Sequence, residues 1–220
     1  MLFIGDSITD GNWGVKSNTK KRSYTDLNHI YGHGYMNLCA SALMSRWPER
    51  GYICYNRGIS GNTIADMAER WSDDVLALQP DVLTILVGVN DVCRYRAAAG
   101  NDSLQFVLAP ASYESRLRAL LDTTLACRQN IRLILMTPFM APVGKYNEDW
   151  EAWSSLTKQY ATAVKMVAKD YGATLIDLQE LFRRQIEKHP SVPISYWIWD
   201  GIHPTAAGHA VIAERWLREL

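Results

Sequence analysis

Short apolar runs alternate along the chain with longer stretches of helical periodicity. "LFIG" (2–5), "ICYN" (53–56), "VLTILVG" (82–88), "RLILMT" (132–137) and "TLID" (174–177) are brief, rich in Ile, Leu and Val, and lack strict alternation. These are the marks of strands buried on both faces of a parallel sheet. Between them the pattern predicts helices over 35–47, 63–78, 111–128, 150–171 and 205–219. In the second of these, Ile64, Met67, Ala68, Trp71, Val75 and Leu78 fall on one stripe. Strand–helix alternation with right-handed crossovers gives a doubly wound α/β domain. A length of 220 residues suits one such domain, 1–220, with a full core. The long irregular pieces 8–33, 89–110 and 138–149 follow the carboxyl ends of strands, the edge where open α/β sheets hold their sites. The piece 189–204 precedes the last helix and reaches that edge from outside the sheet.

Composition narrows the function classes. Lys plus Arg and Asp plus Glu are both 23, so no net field draws the chain to nucleic acid or anionic lipid. No apolar run approaches the ~20 residues of a membrane span. Met1 leads at once into "LFIG" with no basic region or cleavage site, so no signal peptide is read and a cytoplasmic protein is expected. Cys39, Cys54, Cys93 and Cys127 are scattered with no CxxC pair, which favours reduced thiols and no metal. Eight Trp and eleven Tyr are unusual figures; such rings fit a core, but also suit flat amphipathic ligands or a homo-oligomeric interface.

Four short blocks carry candidate chemistry. "GDSITDG" follows the first strand and exposes Ser7 at a strand-to-loop corner, where a following turn of helix aims N–H groups at a developing anion. "NRGISGNT" follows the second strand, and Gly61 there offers a bare N–H before a helix capped by Asn62 or Thr63. "VGVND" follows the third strand and carries Asn90. "WDGIHPTAAGH" holds Asp200 and His203 three residues apart, with Pro204 suited to open the last helix. Each block alone reads as a capped turn, an Asx turn or a helix start. There is no GxxxxGK[ST] or GxGxxG, so a phosphate loop is excluded. Together they supply a nucleophile, two anion donors and an Asp–His pair at one sheet edge, the inventory for acyl transfer.

At these blocks the chain resembles the SGNH hydrolases, also called GDSL esterases: "GDSI" at 5–8, "GISGN" at 58–62, "GVND" at 88–91 and "DGIHP" at 200–204 match in order. The resemblance implies a flavodoxin-like three-layer α/β/α sandwich with a five-stranded parallel sheet. It implies Ser7 as nucleophile, His203 as base and Asp200 as its orienting partner. The oxyanion hole would be the N–H of Ser7, the N–H of Gly61 rather than Gly58, and the Asn90 amide. "LFIGDSITD", "GISGNT" and "ILMTPF" are most similar to bacterial intracellular acetyl-xylan esterases, although such relatives carry a short leader before the first strand. That branch implies an acetylated sugar as substrate, with no metal, cofactor, nucleic acid or membrane. Asp6, Asn62, Arg94, Trp197 and Trp199 are candidate substrate contacts, with Trp13, Tyr35 and Arg96 nearby in the motifs. His209, six residues past His203, is expected to face elsewhere and pack. "KSNTKKRS" (16–23) reads as a surface loop. The rival readings are a lysophospholipase, thioesterase or general short-chain esterase of the same family, a non-catalytic carbohydrate-binding module, and a nucleotide binder.

Overall fold

In the computed structural model, residues 1–11 and 31–220 are described. Five parallel strands, β1 (Leu2–Gly5), β2 (Tyr55–Gly58), β3 (Val82–Leu86), β4 (Arg132–Met136) and β5 (Thr174–Ile176), form one sheet in the order β2-β1-β3-β4-β5. Gly5 stands beside Gly58 on one flank and Leu86 on the other, so the ends of three strands lie level. The order reverses at β1, and the crevice of a doubly wound sheet opens at the carboxyl ends beside that reversal.

Helices cover both faces in a three-layer α/β/α arrangement. On one side α2 (Tyr35–Arg46) and α9 (Ala206–Leu217) pack together. Phe3 meets Trp216 with ring centroids 4.8 Å apart and Tyr35 at 6.0 Å. The buried Trp216 indole N–H donates to Thr84 Oγ1 at 2.9 Å, so this large side chain enters the core without leaving a polar atom unpaired. On the other side lie α3 (Ile64–Glu69), α6 (Pro110–Cys127) and α7 (Trp150–Asp170). There Trp71 N–H donates to Thr124 Oγ1 at 3.0 Å, and Tyr113 and Tyr160 pack edge to face. Burial of some fifty apolar side chains between these layers is the main stabilising term.

The structure corrects the expected elements in four places. The second strand is Tyr55–Gly58, two residues beyond the apolar run at 53–56. Polar Asn56 and Arg57 occupy it because both find partners: Asn56 bonds the carbonyls of Thr9, Asp10 and Tyr31, and Arg57 lies 3.3 Å from Asp74. The stretch 89–110, expected to be irregular, contains α4 (Val89–Ala97) and α5 (Asp102–Leu108). The helix expected over 63–78 is α3 followed by a wider turn at Ser72–Leu76. A further helix, α8 (Leu178–Lys188), had no counterpart in the apolar pattern. Its polar face is held by ion pairs of Glu180 with Arg183 and Arg184.

Candidate active site

Gly5 ends β1, and Asp6 turns the chain into the single-turn α1 (Ser7–Asp10). Asp6 accepts the Ile8 N–H at 3.0 Å, the bond of an N-cap, and this holds Ser7 at the corner. From the opposite direction, the block before α9 brings in Asp200 and His203. Asp200 Oδ1 accepts the N–H groups of Ile202 (3.0 Å) and His203 (2.8 Å), folding the turn so that its Oδ2 lies 2.7 Å from His203 Nδ1. Nε2 of the same ring is 2.8 Å from Ser7 Oγ. With Nδ1–H donated to Asp200, Nε2 is the nitrogen left to accept the serine proton. Burial opposes ionisation of Asp200, but the bonds from the His203 ring and the two backbone N–H groups outweigh it, and its carboxyl stays below its ordinary pKa.

The remaining walls come from β2 and β3. Gly58 lies directly under α1, where a Cβ would meet the Asp10 nitrogen at 2.2 Å, so only glycine lets β2 approach the serine turn this closely. Asp10 accepts both the N–H (3.2 Å) and the hydroxyl (2.6 Å) of Ser60, tying α1 to the next loop. Gly61 is exposed with φ +84°, a left-handed conformation that glycine adopts without strain. Thr63 then caps α3 in a capping box with Asp66. Asn90, in the first turn of α4, donates its side-chain amide to the Asn62 carbonyl at 3.0 Å.

The five proposed substrate contacts have different surroundings. Trp199 is 59% exposed, its ring 6.3 Å from that of His203 and only 25° from parallel. Trp197 is buried instead, packed on Tyr196 and His189. Asp6 is also buried, committed to capping α1, and burial pushes its carboxyl up to about 7. Asn62 is turned to Arg70, whose Nε donates to its Oδ1 at 2.8 Å. Arg94 is half-exposed on the rim, donating to the Gly61 carbonyl at 3.0 Å and pairing with Asp66 at 3.2 Å. Of the nearby residues, Tyr35 is buried and bonded to Thr9, while Arg96 stacks over Trp153 and pairs with Asp149. Trp13 and the 16–23 run lie outside the described residues. His209 packs beneath the site, accepting the Tyr35 N–H at 3.1 Å.

Sequence reasoning gave no role to Asp91 or Arg70. Asp91 is buried and accepts the Ile64 N–H, fastening α4 to α3; its position in "GVND" was the available signal. Burial drives its carboxyl up to about 7. Arg70 had no motif to mark it: apart from Asp74 at i+4, its partners are 8, 13 and 65 residues away.

A family model for the GDSL-like lipase/acylhydrolase family matches residues 3–211. The chain belongs to that family. It is a carboxylic ester hydrolase. It is 33% identical over 220 residues to an acetylxylan esterase from Geobacillus stearothermophilus, covering 100% of this chain and 93% of that one. The solved structure of the acetylxylan esterase Axe2 from the same organism superposes with a TM-score of 0.80 at 32% identity, covering 99% of this chain and 92% of that one. A structure from Parabacteroides merdae described as a GDSL-like lipase gives 0.84 at 31% identity, covering 99% and 93%. Two Axe2 structures are described as catalytic mutants, one with a serine and one with a histidine replaced by alanine. Among the described residues, no helix is long and apolar enough to cross a membrane, and no group of three or more His, Cys, Asp or Glu is arranged to hold a metal ion.

Proposed function

We propose that this enzyme is a serine acetylesterase that removes acetyl groups from xylo-oligosaccharides or related carbohydrates. The observation that carries the mechanism is the continuous chain Ser7 Oγ–His203 Nε2 at 2.8 Å and His203 Nδ1–Asp200 Oδ2 at 2.7 Å, beside the sheet's reversal point. Ser7 Oγ attacks the ester carbonyl as its proton passes to His203 Nε2. Asp200, kept ionised, fixes the imidazole tautomer and stabilises the imidazolium. The carbonyl oxygen gains negative charge, which the N–H groups of Ser7 and Gly61 and the Asn90 amide receive. His203 gives its proton to the leaving sugar oxygen, and the acetyl group remains on Ser7. A water, deprotonated by His203, then attacks this acyl-enzyme; acetate leaves and the proton returns to Ser7 Oγ. That a serine and a histidine are the residues replaced by alanine in the catalytic mutants of Axe2 supports a serine–histidine mechanism here.

The acetyl and carbohydrate parts of the reading rest on similarity over the full chain to an acetylxylan esterase. The exposed Trp199 ring beside His203 adds a flat surface on which a pyranose can lie. The test is acetate release from acetylated xylo-oligosaccharides, run beside p-nitrophenyl acetate and octanoate. Release of acetate, lost in Ser7→Ala, is the expected result. A preference for octanoate, or a Ser7→Ala protein as active as wild type, would overturn it.

A further inference from the structure

Arg70 caps the carboxyl end of α3, and its side chain turns back beneath the loop that begins the helix. The Arg70 side chain is 15% exposed. Its Nε donates to Asn62 Oδ1 at 2.8 Å, one Nη to the Arg57 carbonyl at 2.8 Å and to the Asp74 carboxylate, and the other Nη to the Gly5 carbonyl at 3.2 Å. These acceptors belong to different segments. Gly5 stands two residues before Ser7, Arg57 lies in β2, and Asn62 follows Gly61. The Asn62 carbonyl, in turn, accepts the Asn90 amide at 3.0 Å. One planar cation is therefore joined, directly or through Asn62, to each segment that supplies an oxyanion donor.

We propose that Arg70 is a positioning residue for ester hydrolysis, which sets the spacing between the end of β1 and the Gly61–Asn62 loop so that the three donors converge on one oxygen. The inference rests on the reading that Ser7, Gly61 and Asn90 form the oxyanion site. The reason an arginine is required is geometric. A rigid fork spans acceptors diverging in one plane, whereas a lysine ammonium on a flexible stem satisfies the Asp74 charge without fixing the two backbone carbonyls and the Asn62 amide together. Oxyanion donors act only when held within hydrogen-bond distance of the developing charge, so a small displacement lowers turnover while leaving ground-state binding nearly unchanged.

The test measures kcat, KM and thermal midpoint on p-nitrophenyl acetate for Arg70→Ala, Arg70→Lys, Asn62→Ala, the Arg70→Ala/Asn62→Ala double variant and Ser7→Ala. The assays are repeated with millimolar methylguanidinium. Arg70→Ala is expected to lose ~10- to 100-fold in kcat with KM changed by less than ~3-fold. Methylguanidinium should recover part of that loss in Arg70→Ala and none in Ser7→Ala. Arg70→Lys should regain thermal midpoint but not kcat, and the double variant should be no slower than Arg70→Ala. A lowered midpoint with wild-type kcat per folded molecule would overturn the proposal, as would a loss that methylguanidinium leaves untouched. Should Arg70→Ala not fold, a wild-type kcat in Arg70→Lys overturns it equally. An active Ser7→Ala would sink the underlying reading; an inactive Ser7→Ala beside fully active Arg70 variants would sink this inference alone.

Discussion

The Asn90 side-chain amide donates to the carbonyl of Asn62 at 3.0 Å, linking the loop after β2 to the first turn of α4. An amide carries two N–H donors, so this bond orients the group and leaves its second hydrogen for another acceptor. Both residues are half-buried, and the bond is therefore neither fully screened nor cut off from solvent.

Asn90→Ala should reduce kcat on p-nitrophenyl acetate ~100-fold or more, the loss of ~3 kcal/mol typical of one removed oxyanion donor. KM should change little, because the interaction strengthens only as charge develops. Steady-state kinetics with active-site titration checks this. A fall in KM-dependent binding with kcat preserved would assign Asn90 to substrate recognition instead.

Trp199→Ala should act on sugar esters and spare small ones. Losing an exposed ring as a stacking surface is worth ~1 kcal/mol, so kcat/KM on acetylated xylo-oligosaccharides should fall ~5-fold or more while p-nitrophenyl acetate hydrolysis stays near wild type. Equal losses on both substrates would mean that the ring serves His203 alone.

Buried Asp91 makes stability depend on pH in a sense opposite to the usual carboxylate. Burial raises its folded pKa to about 7 from the ordinary 3.8, so the folded protein holds a proton that the unfolded chain releases. Its contribution is fully present below the unfolded value and is lost as pH rises through about 7. Asp91→Asn keeps an acceptor for the Ile64 N–H and removes the ionisation. Its thermal midpoint should fall less than that of wild type between about pH 5 and about pH 8. Parallel curves for the two proteins would contradict this.

His209 gives the reverse dependence. Burial, aided by the charge of His203, lowers its folded pKa to about 4 from the ordinary 6.5. The neutral ring accepts the Tyr35 N–H, and protonation would break that bond at the start of α2. Stability from this group is present above 6.5 and lost as pH falls toward 4, a change on the order of 3 kcal/mol for so buried a group. His209→Gln should flatten the midpoint-against-pH curve in that window, as followed by differential scanning calorimetry. An unchanged slope would remove His209 from the account.

The amino-acid sequence by itself determined the parallel sheet and four of its five strands nearly to the residue, since continuous Ile, Leu and Val runs admit little else. It also put the blocks holding Ser7, Gly61 and Asn90 after the carboxyl ends of the first three strands, the edge where open α/β sheets hold their sites. The Asp200–His203 pair stood out as a short motif, but its meeting with Ser7, 196 residues from His203, was decided by the fold. Tertiary structure alone decided the position of β2, because Asn56 and Arg57 are admitted to the interior only by partners distant in sequence. It decided that Trp197 and Asp6 turn inward while Trp199 faces out, since alternating exposure in an irregular loop has no period to read. The Arg70 linkage belongs to the same class. Asp74 is only four residues away, but Asn62, Arg57 and Gly5 lie 8, 13 and 65 residues away, and only folding brings them within reach of one guanidinium.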